Sequence, residues 1–241
     1  MTTRSSKLLG SETLAEGTMA FHLERPADFE FRPGQSVDLY LETGSGTAGQ
    51  DVMHTFSMVS APHEETLTVA TRMRDSAYKR RLGSLRPGDE LYIDGPFGTA
   101  LVLDEESSRP AVLIAGGIGI TPFMSILRHA GWQGSTRQLI LLYSNRRPQD
   151  TAYLNELQQL ERKLPGFRLV ATMTGMADSA EVWEGPVGYL DTERIADACR
   201  ELDNPLFYLS GPPMLVEAMR DILEDIGVDD EDIHSEGFTG Y

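Results

Sequence analysis

The sequence predicts two consecutive folds, a small antiparallel β domain and then an α/β domain built on a parallel sheet. Three observations carry this. Up to about residue 103, short runs with partial apolar alternation are separated by turn formers. After residue 110 the rhythm becomes strand, helix, strand, helix. Between them, Asp104-Glu105-Glu106-Ser107-Ser108-Arg109-Pro110 is polar and reads as a linker, which sets a first domain at 1–104 and a second at 110–241.

In the first domain the strand candidates are Thr18 to Leu23, Ser36 to Leu41, Thr66 to Ala70 and Glu90 to Ile93, and His54-Thr55-Phe56-Ser57 ends a further one. Arg32-Pro33-Gly34 and Arg86-Pro87-Gly88-Asp89 are turns, Thr43 to Gly49 is a flexible loop, and strands at this spacing form a barrel or a sandwich. In the second domain the strand candidates are 111–115, 138–143, 167–172 and 206–210, with helices at 121–130, 150–163, 192–201 and 212–226. Ligands of such sheets bind at the carboxyl ends of the strands. Those ends read Gly116-Gly117-Ile118-Gly119, Tyr143-Ser144-Asn145-Arg146-Arg147, Thr172-Met173-Thr174-Gly175 and Ser210-Gly211-Pro212-Pro213, a set suited to a phosphorylated ligand.

The first end is the most telling. Ala111 to Ala115 is apolar and β-branched, as a buried parallel strand requires. The glycines after it allow a sharp turn, and Thr121-Pro122 opens a helix with Thr as its cap and Pro at its first position. Exposed N–H groups and the helix dipole together favour a pyrophosphate there. The spacing is neither G-x-G-x-x-G nor a P-loop.

The 241 residues are 40% hydrophobic, and no apolar run approaches the roughly 18–20 residues of a membrane span. With no apolar region after its basic N-terminal residues, the chain is expected in the cytoplasm. A net charge of −16 argues against nucleic acid as a partner. The single cysteine, Cys199, falls in a helical core pattern and excludes a disulfide, a Cys-rich zinc site or an iron–sulfur cluster on these residues. The five histidines show no metal-ligand spacing, so no metal is expected. Against the acidic background, Arg72, Arg74, Lys79, Arg80, Arg81 and Arg86 form a basic island containing one acid, Asp75. Such an island suits an anionic ligand or an acidic partner. Asp75 or Ser76 would cap a short helix within it.

Read together, His54-x-Phe56-Ser57, the Arg72 to Lys79 loop, Gly95-Pro96-Phe97-Gly98, Gly116-Gly117-x-Gly119-x-Thr121-Pro122, Tyr143 to Arg146, Ser210 to Pro213 and the terminal Glu236-Gly237-Phe238-Thr239-Gly240-Tyr241 resemble the ferredoxin–NADP reductase superfamily. The resemblance covers nearly the whole chain. It implies a six-stranded antiparallel Greek-key barrel that binds flavin, followed by a Rossmann-like nucleotide domain. It also implies FAD ahead of FMN, and NADPH or NADH as co-substrate.

By that resemblance Phe56 packs on the flavin ring and Ser57 lies near its N5, within a set that includes His54, Thr55, Thr71, Arg72, Met73, Ser76 and Lys79. His54 stands where the family has an arginine for the flavin phosphates, a loss that Arg72, Arg74, Ser76 and Lys79 offset. Gly117, Gly119, Thr121 and Pro122 match the pyrophosphate turn. Gly211, Pro212 and Pro213 match the turn beside the nicotinamide, with Ser210 in place of the usual cysteine. Ser144, Arg146, Arg147 and Thr174 lie along the nucleotide. Two guanidiniums there outweigh Asp150 and lean toward NADPH. Glu236 handles protons, and Phe238 or Tyr241 covers the flavin, the catalytic set being Ser57, Glu236 and Tyr241. Because the last six residues suit neither helix nor strand, they are expected as a tail.

The resemblance implies hydride transfer from the nucleotide to flavin and electron delivery to a separate acceptor, a ferredoxin or flavodoxin docking on the basic island. The alternatives are a reductase component of an oxygenase or of small oxidants, and a non-catalytic module that senses nucleotide or flavin.

Overall fold

Alternation along the first six strands turns every second side chain toward a shared interior. The computed structural model describes residues 3–41, 53–104 and 106–238. Its first part consists of β1 (Arg4–Ala15), β2 (Thr18–Glu24), β3 (Ser36–Tyr40), β4 (Met53–Ser57), β5 (Thr66–Arg72) and β6 (Glu90–Phe97), all paired antiparallel in the order β4-β3-β6-β1-β2-β5. A bridge between Met58 and Val69 joins the two ends of that order and closes the sheet as a barrel. Leu8, Phe21, Val37, Leu39, Val69, Leu91 and Ile93 fill it. Helix α1 (Ala77–Ser84) packs Tyr78 and Leu82 onto the same core, and the Tyr78 hydroxyl donates to Leu39 O at 2.9 Å, which satisfies that buried group.

Strand β1 has no counterpart among the strands expected from the sequence. Its first half buries only Ser6 and Leu8, and it holds its place by pairing with both β2 and β6. The loop expected at Thr43 to Gly49 lies outside the described residues.

The second part is a parallel sheet of β7 (Ala111–Gly116), β8 (Leu139–Asn145), β9 (Phe167–Met173), β10 (Leu206–Gly211) and β11 (Ile233–Gly237), ordered β11-β10-β7-β8-β9. Helices α2 (Thr121–Gln133) and α3 (Leu154–Lys163) cover one face. Helices α4 (Thr192–Cys199) and α5 (Pro213–Asp225) cover the other. Cys199 is half-buried at the end of α4, and burial pushes its thiol up to about 11.

Three expectations change here. A fifth strand, β11, replaces the irregular tail as far as Gly237, and its edge position explains why it was hidden. With only β10 beside it, it needs no apolar run, and His234 stacks on Tyr208 at 4.8 Å. Helix α3 begins at Leu154 rather than 150, because Pro148–Asp150 is a 3-10 turn and Tyr153 adopts φ +60°. Thr121 does not cap α2 by accepting an N–H. Its hydroxyl donates to Ile118 O at 3.1 Å, and a 3-10 turn, Gly117–Ile120, leads into the helix.

Strand order reverses on either side of β7, which places a ligand crevice at the carboxyl ends of β7 and β10. The barrel closes over that crevice. Ser125 on α2 donates to Ser60 O at 2.7 Å, Arg128 pairs with both Glu64 and Glu156, and Glu16 N in the β1–β2 turn donates to Gln149 O at 2.8 Å.

Candidate functional site

On the barrel side of this crevice, β4 directs His54 and Phe56 to one face, as residues two apart on a strand must be. The cleft is lined by His54, Thr55, Phe56, Ser57, Ala70, Thr71, Arg72 and Lys79 from the barrel part, Ile118 and Thr121 from the turn after β7, and Phe238 from beyond β11. Nine residues expected at the site from sequence therefore share one wall or the other. Thr55 spends its hydroxyl on Asp38 across the β3–β4 pair.

Two expected flavin-side residues are placed differently. Met73 packs on the barrel core against α1 and is not part of the cleft wall. The Ser76 side chain caps α1 by accepting from Lys79 N at 3.2 Å, which selects it over Asp75 as the cap. Tyr241 lies outside the described residues, whereas Phe238 is held at the cleft, its N–H donating to Gly211 O at 3.1 Å.

Two buried polar groups on the cleft wall stand out. Ser57 is 4% exposed, and among the described residues its hydroxyl has no hydrogen-bond partner. Lys79 is 7% exposed, and among the described residues its ammonium meets the Thr71 hydroxyl and the Phe56 ring, 4.8 Å from the ring centre, and no carboxylate. Burial alone pulls the Lys79 amine down to about 8. A hydroxyl without a partner and a cation without a countercharge on one wall fit an aromatic ligand that carries acceptors and a phosphate, which is the chemistry of a flavin.

On the opposite side, the two glycine turns meet. Gly117 adopts φ +53° and Gly211 φ +151°, and a Cβ on Gly119 would run into Ser210 O and come within 2.6 Å of Gly211 Cα. Pro122 sits in the first turn of α2, and Pro212 and Pro213 open α5. Tyr143, named in the motif at the end of β8 but given no role there, has its hydroxyl 3.1 Å from Gly117 O, where it can donate to the turn. Ser210 is fully buried, its hydroxyl without a partner among the described residues, and in register with Glu236 on β11. Burial pushes the Glu236 carboxyl above the usual range.

Farther along, the Thr174 N–H and hydroxyl both donate to Asn145 O, and Gly175 N donates to Arg146 O at 2.7 Å, closing the ends of β8 and β9 together beside Ser144. Arg147 is committed: its guanidinium donates to both Asp150 oxygens at 2.8 Å and to Glu16 at 3.0 Å. Asp150, with its side chain 7% exposed, also lies 3.9 Å from Arg72, and its hydrogen bond with Arg147 holds its carboxyl below the usual range. Arg146 is 72% exposed and 3.9 Å from Asp178. Glu16 and Asp178 enter from other parts of the chain, and no local sequence signal links them to this spot.

The basic island is smaller in three dimensions than in sequence. Lys79 is buried, Arg72 faces Asp150, and Arg80 pairs with Asp75. Arg74, Arg81 and Arg86 are exposed. Among the described residues no cluster of three or more His, Cys, Asp or Glu side chains could hold a metal, and no helix is long and apolar enough to cross a membrane.

Residues 113–221 match a family described as the oxidoreductase NAD-binding domain. Over 220 residues, 89% of this chain, the sequence is 31% identical to the reductase component of propane 2-monooxygenase from Rhodococcus jostii, of which it covers 57%. Over 236 residues, 94% of this chain, it is 31% identical to the glycine betaine monooxygenase reductase subunit of Chromohalobacter salexigens, covering 61% of it. The chain thus spans about three-fifths of the length of these curated relatives. A ferredoxin NADP+ reductase from Neisseria gonorrhoeae, solved with bound FAD and NADP, superposes with a TM-score of 0.82 at 23% identity over 98% of both chains, which shows the fold.

Because both atoms facing Gly119 belong to backbone, Gly119→Ala is expected to destabilise the protein by about 1–3 kcal/mol. It should also weaken nucleotide binding; thermal unfolding and calorimetric titration with 5′-AMP would check both.

Proposed function

We propose, for a chain that carries the ferredoxin–NADP reductase fold and an NAD-binding oxidoreductase domain, that it is a flavoprotein reductase moving electrons from a reduced nicotinamide nucleotide to a separate protein acceptor. The observation that supports this best is the single cleft holding Phe56, Ser57, Lys79 and Phe238 at the meeting point of the two glycine turns. In this reading residues 1–104 are the flavin-binding barrel, residues 110–241 bind the nucleotide, and the reaction takes place in the cytoplasm, whose reducing conditions suit a lone half-buried thiol.

When bound, FAD accepts a hydride from the nicotinamide and releases the two electrons singly. The protein contributes position and protons. Phe56 would pack against the ring system, and the Ser57 hydroxyl, without a partner among the described residues, would donate to the ring edge. Gly117, Gly119, Thr121 and Pro122 present backbone and a helix N-terminus to the nucleotide pyrophosphate, and Gly211, Pro212 and Pro213 leave room for the nicotinamide. Phe238 covers the cleft and gives way when the nicotinamide enters. Glu236 holds a proton beside Ser210.

The donor in this reading is NADH. The arginine pair that leans toward NADPH in the sequence is already matched by Asp150, Glu16 and Asp178, and a 2′-phosphate would have to displace a bidentate carboxylate to gain Arg147.

The acceptor class follows from similarity. Both relatives above are named as reductases of monooxygenases, which supports an oxygenase component as the partner, with a ferredoxin or flavodoxin as the second reading. Arg74, Arg81 and Arg86 are exposed within the basic island of a chain of net charge −16, a local field that attracts an acidic acceptor.

An anaerobic visible titration tests the reading directly. The flavin band is expected to bleach with NADH at a concentration at least about tenfold below that needed with NADPH, and the double variant Glu16→Gln, Asp150→Asn should narrow that gap by about tenfold. A protein that takes up no flavin and oxidises neither nucleotide would refute it. For Glu236, turnover that uses its proton falls as pH rises through the elevated value, and Glu236→Gln should lower turnover by about 10²-fold and flatten that alkaline limb. For docking, changing Arg74, Arg81 and Arg86 to Gln should slow transfer to a protein acceptor and erase its salt dependence, while reduction of an uncharged quinone stays unchanged.

A further inference from the structure

Most guanidiniums near the cleft are matched by a carboxylate. Arg147 has Asp150 and Glu16, Arg72 faces Asp150, and Arg80 has Asp75. Lys79 differs: among the described residues no carboxylate lies within ion-pair distance of it, although it is more deeply buried than any of those arginines. A buried, uncompensated cation is unfavourable and persists in a fold when a ligand supplies its countercharge.

The surroundings say which ligand group that is. Lys79 is the third residue of α1, whose first turn carries no acidic side chain and whose cap is Ser76. It reaches the cleft wall between Thr71 on β5 and Phe56 on β4. His54, two residues before Phe56 on β4, sets its ring 4.2 Å from the Tyr78 ring, against the face of α1.

Resting on the flavin reading above, we propose that Lys79 is the cation that holds the phosphate of the bound flavin, so that the anchor comes from helix α1 rather than from strand β4. The phosphate supplies the countercharge that the protein lacks, and the Phe56 ring beneath the ammonium ties that anchor to the surface on which the flavin ring packs.

A pH dependence follows. Without ligand the Lys79 amine loses its proton near pH 8, whereas a neighbouring phosphate dianion raises that value. A group whose pKa rises on binding leaves affinity constant below the free value and weakens it above. Flavin affinity should therefore be level up to about pH 8 and fall by up to about tenfold per unit beyond. The other charged or titratable groups around Lys79 are His54 on β4, Arg72 on β5, Tyr78 on α1 and Asp38 on β3, the last acting through Tyr78. Burial pushes the Tyr78 hydroxyl well above this window.

The test compares flavins that differ in their phosphate. The full chain, stripped of flavin, is titrated with riboflavin, FMN and FAD by fluorescence at pH 7.0 and 9.5, as wild type, Lys79→Met and Lys79→Arg. Wild type is expected to bind FMN and FAD about 10²-fold more tightly than riboflavin at pH 7.0, with the advantage shrinking at pH 9.5. Lys79→Met should lose most of that advantage while its riboflavin affinity stays within about threefold, and Lys79→Arg should keep it at both pH values. Equal weakening of riboflavin and FAD in Lys79→Met would make Lys79 a packing residue and overturn the proposal. So would a wild-type FAD affinity unchanged between the two pH values, a result that needs no variant. If wild type binds riboflavin as well as FAD, the proposal fails while the flavin reading stands. If it binds no flavin, both fail.

Discussion

Two backbone turns press against each other where the strand order reverses, and the remainder of the site depends on that contact. The turn after β7 passes so close to the end of β10 that a methyl group on Gly119 would collide with Ser210 O, and one on Gly211 would come within 3.0 Å of Gly116 N. Only glycine permits this approach. It sets where α2 and α5 begin, and therefore where their first N–H groups point. It also brings the Gly117 turn within reach of the Tyr143 hydroxyl and sets the Phe238 N–H on Gly211 O. The barrel is then added to this core through Ser60, Glu64 and Glu16, so that β4 and β5 face the turns across a cleft.

Charge is distributed around that cleft with economy. In a strongly acidic chain, carboxylates absorb the guanidiniums most suited to bind anions. Asp150 does so for both parts of the molecule at once, accepting from Arg147 of the parallel-sheet part and facing Arg72 of the barrel. The same pairing braces the two parts against each other and neutralises positive charge beside the carboxyl ends of β8 and β9. Inside the cleft the opposite holds, since Lys79 is desolvated with no countercharge among the described residues. The site thus carries an unmatched buried cation at one place and a fully matched guanidinium at another.

Glycines, prolines and apolar runs made much of this legible in advance. Ala111 to Ala115 could only be a buried strand, the glycines after it could only turn, and the order of strand and helix runs left a parallel sheet as the economical solution. Phe56, Ser57, Thr71, Arg72, Lys79, Thr121 and Phe238 were named from local motifs and do share one cleft. Hidden from sequence were the elements whose stability comes from neighbours. Strand β1 and edge strand β11 carry few apolar residues and exist because β2, β6 and β10 supply their hydrogen bonds.

By itself, then, the sequence determined the two folds, their order and the backbone turns of the site, because those follow from steric freedom and hydrophobic pattern within a few residues. Tertiary structure alone decided which charges remain available. Arg147 and Lys79 look alike as cations in a loop and in a helix, yet one is matched by Glu16 from a hairpin 131 residues away while the other is buried against an aromatic ring. Ion pairing and desolvation depend on distances in space that no local pattern encodes, so the same island of basic residues becomes part ion pair, part buried cation and part exposed surface only once the chain has folded.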